Sequence, residues 1–235
     1  MKLLLTIPGI GDNHFEEKKN FLRKNIGIIK NTFSGEIDFL FFNYSNNDFS
    51  DFENLENIKI IKESGIIGQF IFNKLKPDGL KDYDYIILMI DDIELSENIN
   101  IDEMIKIYND NHLDILSPSL TIDSKFSHKG FMLENDNFKD KIRITNFCEY
   151  FFYLMDFNSY EKYWNLFDEK TYWLWGIDLC LDKQGFKMGI INDYKIKHYY
   201  ISESYNKNLP NPHIEMYDKE RKFGKINEIK NIELI

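Results

Sequence analysis

Acidic residues follow an apolar run in the stretch YDYIILMIDDIELSEN, residues 83–98. Asp91 and Asp92 come directly after the apolar residues, and Glu94 follows two positions later. Hard divalent cations such as Mg²⁺ and Mn²⁺ prefer oxygen ligands, and they take few from the protein when phosphates supply others. If the chain stays extended, Asp92 and Glu94 point to one side and Asp91 to the other. The pattern is compatible with a metal site, and equally with a turn or a helix cap.

Three more ionisable side chains stand in apolar sequence further along the chain. Asp178, in the segment WLWGID, precedes a predicted helix, where a carboxylate can serve as the N-cap. His198 ends the alternating segment IINDYKIKH, where a lone histidine is commonly a hydrogen-bonded structural residue. Glu149, in NFCEYF, needs a partner because an unpaired buried carboxylate is costly. The expected partner is Arg143 or a hydroxyl of a bound ligand.

The elements that must position these residues alternate between strand and helix in the first half of the chain. The predicted strands cover residues 3–7, 36–45, 58–61, 83–90 and 113–120, and the predicted helices cover 15–33, 66–75 and 101–110. The strand at 83–90 is apolar on both faces, which is typical of a central parallel strand. The alternation predicts an α/β fold with helices on the faces of the sheet. Ligands of such sheets bind beyond the carboxyl ends of the strands, where Asp91 and Asp92 lie.

The second half of the chain has a different character. Residues 141–156 are dense in β-formers, 160–168 are helical, 173–185 read as a turn leading into a helix, and 186–200 read as a closing strand with its own turn. The tail from residue 202 onward is mostly polar, and NLPNP is expected to end regular structure there. One domain is predicted, with a nucleotide-binding half (1–121), an acceptor-side half (122–200) and a tail (201–235).

Bulk composition excludes several classes of protein. The chain has 235 residues, 43% of them hydrophobic, so a sizeable core is possible. The net charge of −10 argues against a nucleic-acid partner, which needs clustered Lys and Arg. No stretch approaches the roughly 20 apolar residues of a transmembrane helix. Cys148 and Cys180 lack CxxC spacing, and we expect two reduced core thiols in a cytoplasmic protein.

The order of several segments resembles one family of enzymes. YDYIILMIDDIEL is followed by IDEMIKIYNDNHLDILSPSL, SHKG, RITNFCE, WLWGID and IINDYKIKH. This order resembles GT-A type glycosyltransferases, and more closely the family that includes the chlorella-virus glycosyltransferase domain and plant proteins labelled lysine-ketoglutarate-reductase trans-splicing related. The resemblance covers roughly residues 65–200. It implies a GT-A fold with a mixed, mostly parallel sheet flanked by helices.

The resemblance also implies an activity and the roles of four residues. The activity is transfer of a sugar from a nucleotide-diphosphate donor, with a UDP-sugar favoured, to a hydroxyl acceptor such as a glycan, with Mn²⁺ or Mg²⁺ and inversion at the anomeric carbon. Asp92 matches a metal ligand, His198 a second metal ligand, and Asp91 a residue that faces the ribose or the donor sugar. Asp178 matches the general base. The first acid of the family motif falls on Ile90, which cannot bind a metal.

The remaining candidate binding residues are also implied by the resemblance. They are Thr6, Pro8 and Gly9 in the first loop, Gly65 before a helix, Ser117 at a strand end, His128 near the acceptor or diphosphate, and Trp175 against a sugar face. A solvated loop position is the alternative for His128, and core packing is the alternative for Trp175.

Two further functions remain open from the sequence. Because Ile90 replaces an acid, the chain could be a non-catalytic nucleotide- or carbohydrate-binding module. A nucleotidyltransferase is disfavoured, since no Gly- and Lys/Arg-rich triphosphate loop follows the first strand.

Overall fold

A single mixed sheet organises the chain in the computed structural model, which describes residues 1–49, 52, 55–126, 128, 130–200 and 211–235. The strands are β1 (Lys2–Ile10), β2 (Glu36–Asn43), β3 (Ile58–Lys62), β4 (Tyr85–Met89), β5 (Ile93–Leu95), β6 (Ile115–Leu120), β7 (Ile142–Thr145), β8 (Phe152–Asp156), β9 (Met188–His198) and β10 (Asn231–Leu234). The helices are α1 (Phe15–Thr32), α2 (Ile67–Lys74), α3 (Ile101–Asp110), α4 (Phe157–Trp164), α5 (Ile177–Cys180) and α6 (Pro212–Phe223).

The strand order explains how the two halves of the chain form one sheet. The order is β10-β7-β9-β6-β8-β4-β1-β2-β3, and β5 pairs with the carboxyl-terminal part of β9. Among the described strands, β5, β7 and β8 run against the other seven. The sheet is therefore mixed and mostly parallel with flanking helices, as the sequence predicted.

The centre of the sheet is built from the apolar segments identified in the sequence. Residues Ile86 to Met89 of β4 are at most 1% exposed, and β4 lies between β1 and β8. Helix α3 begins where the Asn100 side chain accepts a hydrogen bond from the Glu103 N–H at 3.0 Å, a standard N-cap. Both elements match their predicted positions, because strong hydrophobic periodicity and a cap residue determine them locally.

Strand β1 is longer than the predicted 3–7 and continues to Ile10. Proline and glycine at positions 8 and 9 indicated a loop, but the pairing with β2 shifts register between Ile7 and Ile10. Such an irregularity accommodates Pro8, which has no N–H to donate to the sheet. The first loop therefore begins at Gly11.

Other boundaries differ where the sequence signal is ambiguous. The β-rich segment 141–156 forms two strands, β7 and β8, and β9 runs as one continuous strand through the turn expected within 186–200. The expected end of regular structure at NLPNP is wrong, because α6 and β10 follow it. Asn211 caps α6 by accepting from the His213 N–H at 2.9 Å, and Pro212 occupies the first turn, where proline is well tolerated. None of the described helices is long and apolar enough to cross a membrane.

Candidate functional site

Asp91 lies where β4 leaves the sheet, beside the loop that follows β1. Its Oδ2 accepts hydrogen bonds from the Gly11 N–H at 3.0 Å and from Lys18 Nζ at 2.7 Å. Burial, reinforced by the neighbouring charge of Asp92, raises the pKa of Asp91 in spite of Lys18. Asp91 therefore joins β4 to the first loop and to α1, and the backbone at Asp91 and Asp92 forms a turn between β4 and β5.

Asp92 faces His198 at the end of β9. His198 Nε2 lies 3.3 Å from Asp92 Oδ2, and both side chains are little exposed, at 11% and 13%. His198 Nδ1 lies 2.8 Å from the Lys125 carbonyl oxygen. A carbonyl oxygen only accepts, so Nδ1 carries a hydrogen, and Nε2 is the ring nitrogen that faces Asp92. Burial opposes protonation of His198, but the Asp92 carboxylate raises its pKa above the ordinary value.

The Asp92–His198 pair fits a divalent cation, although it supplies only two ligands. Within the described residues no group of three or more His, Cys, Asp or Glu side chains could hold a metal ion. Glu94 does not supply the third ligand, because its carboxylate accepts from Lys24 Nζ at 2.7 Å and from the Tyr199 hydroxyl. Ile90 packs against the hydrophobic core. A metal here would need further oxygens from a ligand such as a diphosphate, which is common for Mg²⁺.

Asp178 stands in the first turn of α5, behind a left-handed residue. Gly176 is the N-cap of this helix, with φ +85°, which excludes the alternative N-cap role of Asp178. Asp178 Oδ1 instead accepts from the Leu179 N–H at 2.9 Å. Burial, helped by the charge of Glu149, raises the pKa of Asp178 to about 7. A carboxylate with such a pKa is suited to exchange a proton near neutral pH.

Two ionisable side chains face Asp178. His128 Nε2 lies 3.8 Å from Asp178 Oδ2, and its ring packs edge-on against Phe147 at 4.7 Å between centroids. Glu149 is 8% exposed, and its charge acts on both Asp178 and His198. The buried side chains of Cys148, Cys180, Tyr153 and Tyr163 also lie within the electrostatic reach of Asp178. The Asp178 cluster and the Asp92–His198 pair therefore share one region of the molecule.

Arg143 is not the partner of Glu149. Its guanidinium is 1% exposed and donates to the carbonyl oxygens of Phe131 at 2.7 Å, Met132 at 3.3 Å and Leu133 at 3.4 Å. Burial lowers the pKa of Arg143 to about 10. Arg143 therefore fixes the segment that follows His128, and its role is structural.

Tyr44, which the sequence reading did not single out, lies beside the acidic pair. A Cβ on Gly9 would come within 2.6 Å of the Tyr44 ring, so this glycine permits close packing of the ring on β1. Tyr44 is 39% exposed, and burial together with the charges of Asp91 and Asp92 raises its pKa. The sequence did contain a signal for Tyr44. It is an aromatic residue at the end of the predicted strand 36–45, at the same sheet edge as Asp91.

Several predicted binding residues lie inside the sheet. Thr6 is fully buried in β1 between Leu40 and Leu88, and its hydroxyl has no hydrogen-bond partner within the described residues. Pro8 is buried as well. The expected placement in the first loop is wrong for Thr6, Pro8 and Gly9, because β1 extends to Ile10 and all three precede the loop.

Ser117 lies elsewhere than expected, whereas Gly65 stands ahead of a helix, where the sequence placed it. Ser117 is fully buried within β6, where its hydroxyl donates to the Pro118 carbonyl oxygen at 3.1 Å, so it does not line a cleft. Gly65 is exposed ahead of α2, and a Cβ there would meet the Phe70 ring at 2.8 Å. A glycine at position 65 therefore allows the Phe70 ring to pack against the backbone.

Trp175 lies in the loop that precedes Asp178 and is 38% exposed. Its ring meets His213 of α6 edge-on, with centroids 5.1 Å apart. The Trp175 ring is partly covered by His213 and partly exposed, so the exposed part of its surface is available to a ligand.

Comparison with known proteins identifies the fold. No protein-family model matches the chain, and no curated protein matches it by sequence. Among solved structures, S. aureus TarS 1–349 in complex with UDP-GlcNAc is similar, with a TM-score of 0.63 and 11% identity over 95% of this chain and 65% of that one. GalNAc-T7 with UDP, GalNAc and Mn²⁺ has a TM-score of 0.64 and 10% identity over 92% of this chain and 47% of that one.

A third similar structure, A197 from STIV, has a TM-score of 0.50 and 13% identity over 86% of this chain and 87% of that one. The chain has the GT-A fold, which the resemblance implied. Identities near 10% establish the fold alone, and the chain spans less than two thirds of TarS 1–349 and of GalNAc-T7.

Proposed function

We propose that this protein is a metal-dependent glycosyltransferase that uses a nucleotide-diphosphate sugar, with a UDP-sugar favoured, and a hydroxyl acceptor such as a glycan. The observation that carries the proposal is Asp178, which is only 14% exposed and lies 3.8 Å from His128, in the same region as a histidine–carboxylate pair; burial raises its pKa to about 7. TarS was solved with UDP-GlcNAc, and GalNAc-T7 with UDP, GalNAc and Mn²⁺. The narrower relation to the chlorella-virus glycosyltransferase family belongs to the same proposal.

The acceptor side of the reaction requires a base. In the proposed step the acceptor oxygen forms a bond to the anomeric carbon, while the bond from that carbon to the diphosphate oxygen breaks. The electron pair leaves with the diphosphate, and the acceptor proton goes to Asp178. A sugar hydroxyl is a poor nucleophile until its proton is leaving. A single displacement of this kind inverts the anomeric centre.

The donor side is built from the ends of β1, β2 and β4. The half-exposed Tyr44 ring, beside Asp91 and Asp92, offers a face to the base. Asp92 and His198 would hold Mn²⁺ or Mg²⁺. When bound, the ion would neutralise the departing diphosphate. Lys18 cannot supply this charge alone, because its ammonium is already paired with Asp91.

The test is release of UDP from a panel of UDP-sugars with Mn²⁺, with and without glycan acceptors. We expect turnover by the natural chain, and a loss of at least about 100-fold in Asp178→Asn, the usual contribution of a general base. Asp123→Asn, which removes an exposed carboxylate paired with Lys197, is the matched control and should keep full activity. Undiminished turnover by Asp178→Asn would exclude its role as the base, and product of retained configuration would exclude the single displacement.

A second candidate function is supported by Ile90. The missing acid leaves two metal ligands in the described residues, which is compatible with a module that binds a nucleotide or saccharide without catalysis. Binding of UDP with equal affinity with and without Mn²⁺, and no turnover of any donor, would favour this candidate.

We further propose a cytoplasmic location. Both cysteines, Cys148 and Cys180, are free and buried, which supports a protein that folds with reduced thiols.

A further inference from the structure

Glu215 of α6 binds the loop that precedes Asp178 through three consecutive backbone amides. Its carboxylate is 5% exposed and accepts from the N–H groups of Tyr172 at 2.8 Å, Trp173 at 2.9 Å and Leu174 at 2.9 Å. Both carboxylate oxygens take part, since Oε2 serves Tyr172 and Oε1 serves Leu174. Successive amides that converge on an anion form a nest, so the loop is shaped around this side chain.

The loop adopts a backbone that needs such support. Leu174 has φ +68° and Gly176 has φ +85°, both in the left-handed region. A leucine is unfavourable there because of its Cβ, and such residues persist only where the surroundings hold them. Gly176 lies directly against α6, since a Cβ at that position would be 2.9 Å from Met216 Cγ. Two residues later the chain reaches Asp178.

A second side chain of α6 fixes the beginning of the same loop. Lys219 is 3% exposed, and its Nζ donates to the Leu166 carbonyl oxygen at 2.9 Å and to the Thr171 hydroxyl at 2.6 Å. The lysine and Glu215 are four residues apart and therefore lie on the same face of the helix. Two buried side chains of α6 thus hold the chain that leads into the strained turn.

We propose that Glu215 is a positioning residue, which holds residues 172–176 in the conformation that orients Asp178 and excludes water from it. That Asp178 is catalytic rests on the proposed function, but the positioning of residues 172–176 by Glu215 is a property of the folded chain. Asp178 is 14% exposed at its side chain. A loop released from Glu215 would open the start of α5 and let water reach this carboxylate.

Glu215→Gln is the informative substitution because it preserves size and shape. The amide replaces one carboxylate oxygen with an NH₂ group, which would face backbone N–H donors that it cannot satisfy. Glu220→Gln is the matched control, since it makes the same chemical change on the same helix, where Glu220 pairs only with Lys225 among the described residues, at 2.8 Å.

The experiment measures the Asp178 pKa by NMR of ¹³C-labelled aspartate, together with hydrogen exchange of the amides at 172–174. Burial sets the raised value, and the charges that face Asp178 are those of Glu149 and His128. In Glu215→Gln we expect the Asp178 pKa to fall by about one unit or more, since water restores the ionised form. Exchange at 172–174 should quicken by about tenfold or more. Glu220→Gln should change neither quantity.

An unchanged Asp178 pKa and unchanged exchange in folded Glu215→Gln would overturn the inference. If that variant does not fold, Glu215→Asp takes its place, because the shorter side chain keeps the charge but cannot reach all three amides, and the same outcomes apply. Both readouts need no substrate, so they stand even if no UDP-sugar is turned over. Where turnover is found, the inference further requires a lower kcat with an unchanged donor KM.

Discussion

Asp178 shows how burial tunes a single carboxylate, and the consequence is measurable in stability as well as in activity. Its pKa is raised from 3.8 to about 7 in the folded chain. A raised folded pKa contributes stability that is fully present below the unfolded value and is lost as pH rises through the folded value. The natural chain should therefore lose stability between about pH 4 and pH 7 on account of this one group.

Asp178→Asn should remove that pH dependence. Asparagine keeps the oxygen that accepts from the Leu179 N–H and carries no charge to desolvate. Because the side chain retains 14% exposure, we expect the variant to be more stable by about 1–3 kcal/mol at pH 8 and equal at pH 4. Chemical denaturation at both pH values measures the difference. Asp123→Asn should show no gain at pH 8, because Lys197 lowers the pKa of Asp123. A gain at pH 4 that equals the gain at pH 8 would contradict the linkage.

At the scale of elements, the sequence predicts features that depend on neighbouring residues, and it misses features that depend on contacts between distant parts of the chain. Strand β4, the acids that follow it and helix α3 were predictable, because periodicity and capping act within a few residues. The nest around Glu215 was not, since its amides lie about forty residues earlier in the chain. The extension of β1 through Pro8 was also missed, because a register shift against β2 is a property of the pair of strands. Thr6 was misplaced for the same reason, and Ser117 because β8 and β9 flank its strand.

The turn before α5 allows a matched test with two glycines. Gly176 has φ +85° and a virtual Cβ 2.9 Å from Met216, whereas Gly185 has φ +75° and nothing within 4 Å. Both Gly→Ala variants incur the strain of a left-handed residue, about 1 kcal/mol. Gly176→Ala should cost a further 1–2 kcal/mol, roughly, because Met216 must move. Urea denaturation of the two variants measures the difference. Equal losses of unfolding free energy in the two variants would show that Met216 of α6 can move aside without a cost in stability.

At the scale of the whole molecule, charge decides how a diphosphate can bind. The chain carries a net charge of −10, and Lys18, the cation beside the acidic pair, is held by Asp91. A diphosphate near Asp91 and Asp92 would meet repulsion from both carboxylates. The GT-A sheet brings the loops after β1 and β4 together, and it places His198 opposite Asp92 at the end of β9. On the proposed function, a divalent cation held at that pair would convert the repulsion into attraction, so metal and nucleotide should bind cooperatively.

Thermal unfolding should report this cooperativity. UDP and Mn²⁺ together, at about 100 times the Kd, should stabilise the chain by about 2.7 kcal/mol, or roughly 5–10 °C in Tm for a chain of this size. Either component alone should give much less. Asp92→Asn and His198→Gln should abolish the joint effect, because each removes one of the two ligands. Asp123→Asn, an acid outside the site, should retain it. A shift with UDP alone that matches the joint shift would instead support the metal-independent binding module, in which Ile90 marks a metal site that no longer functions.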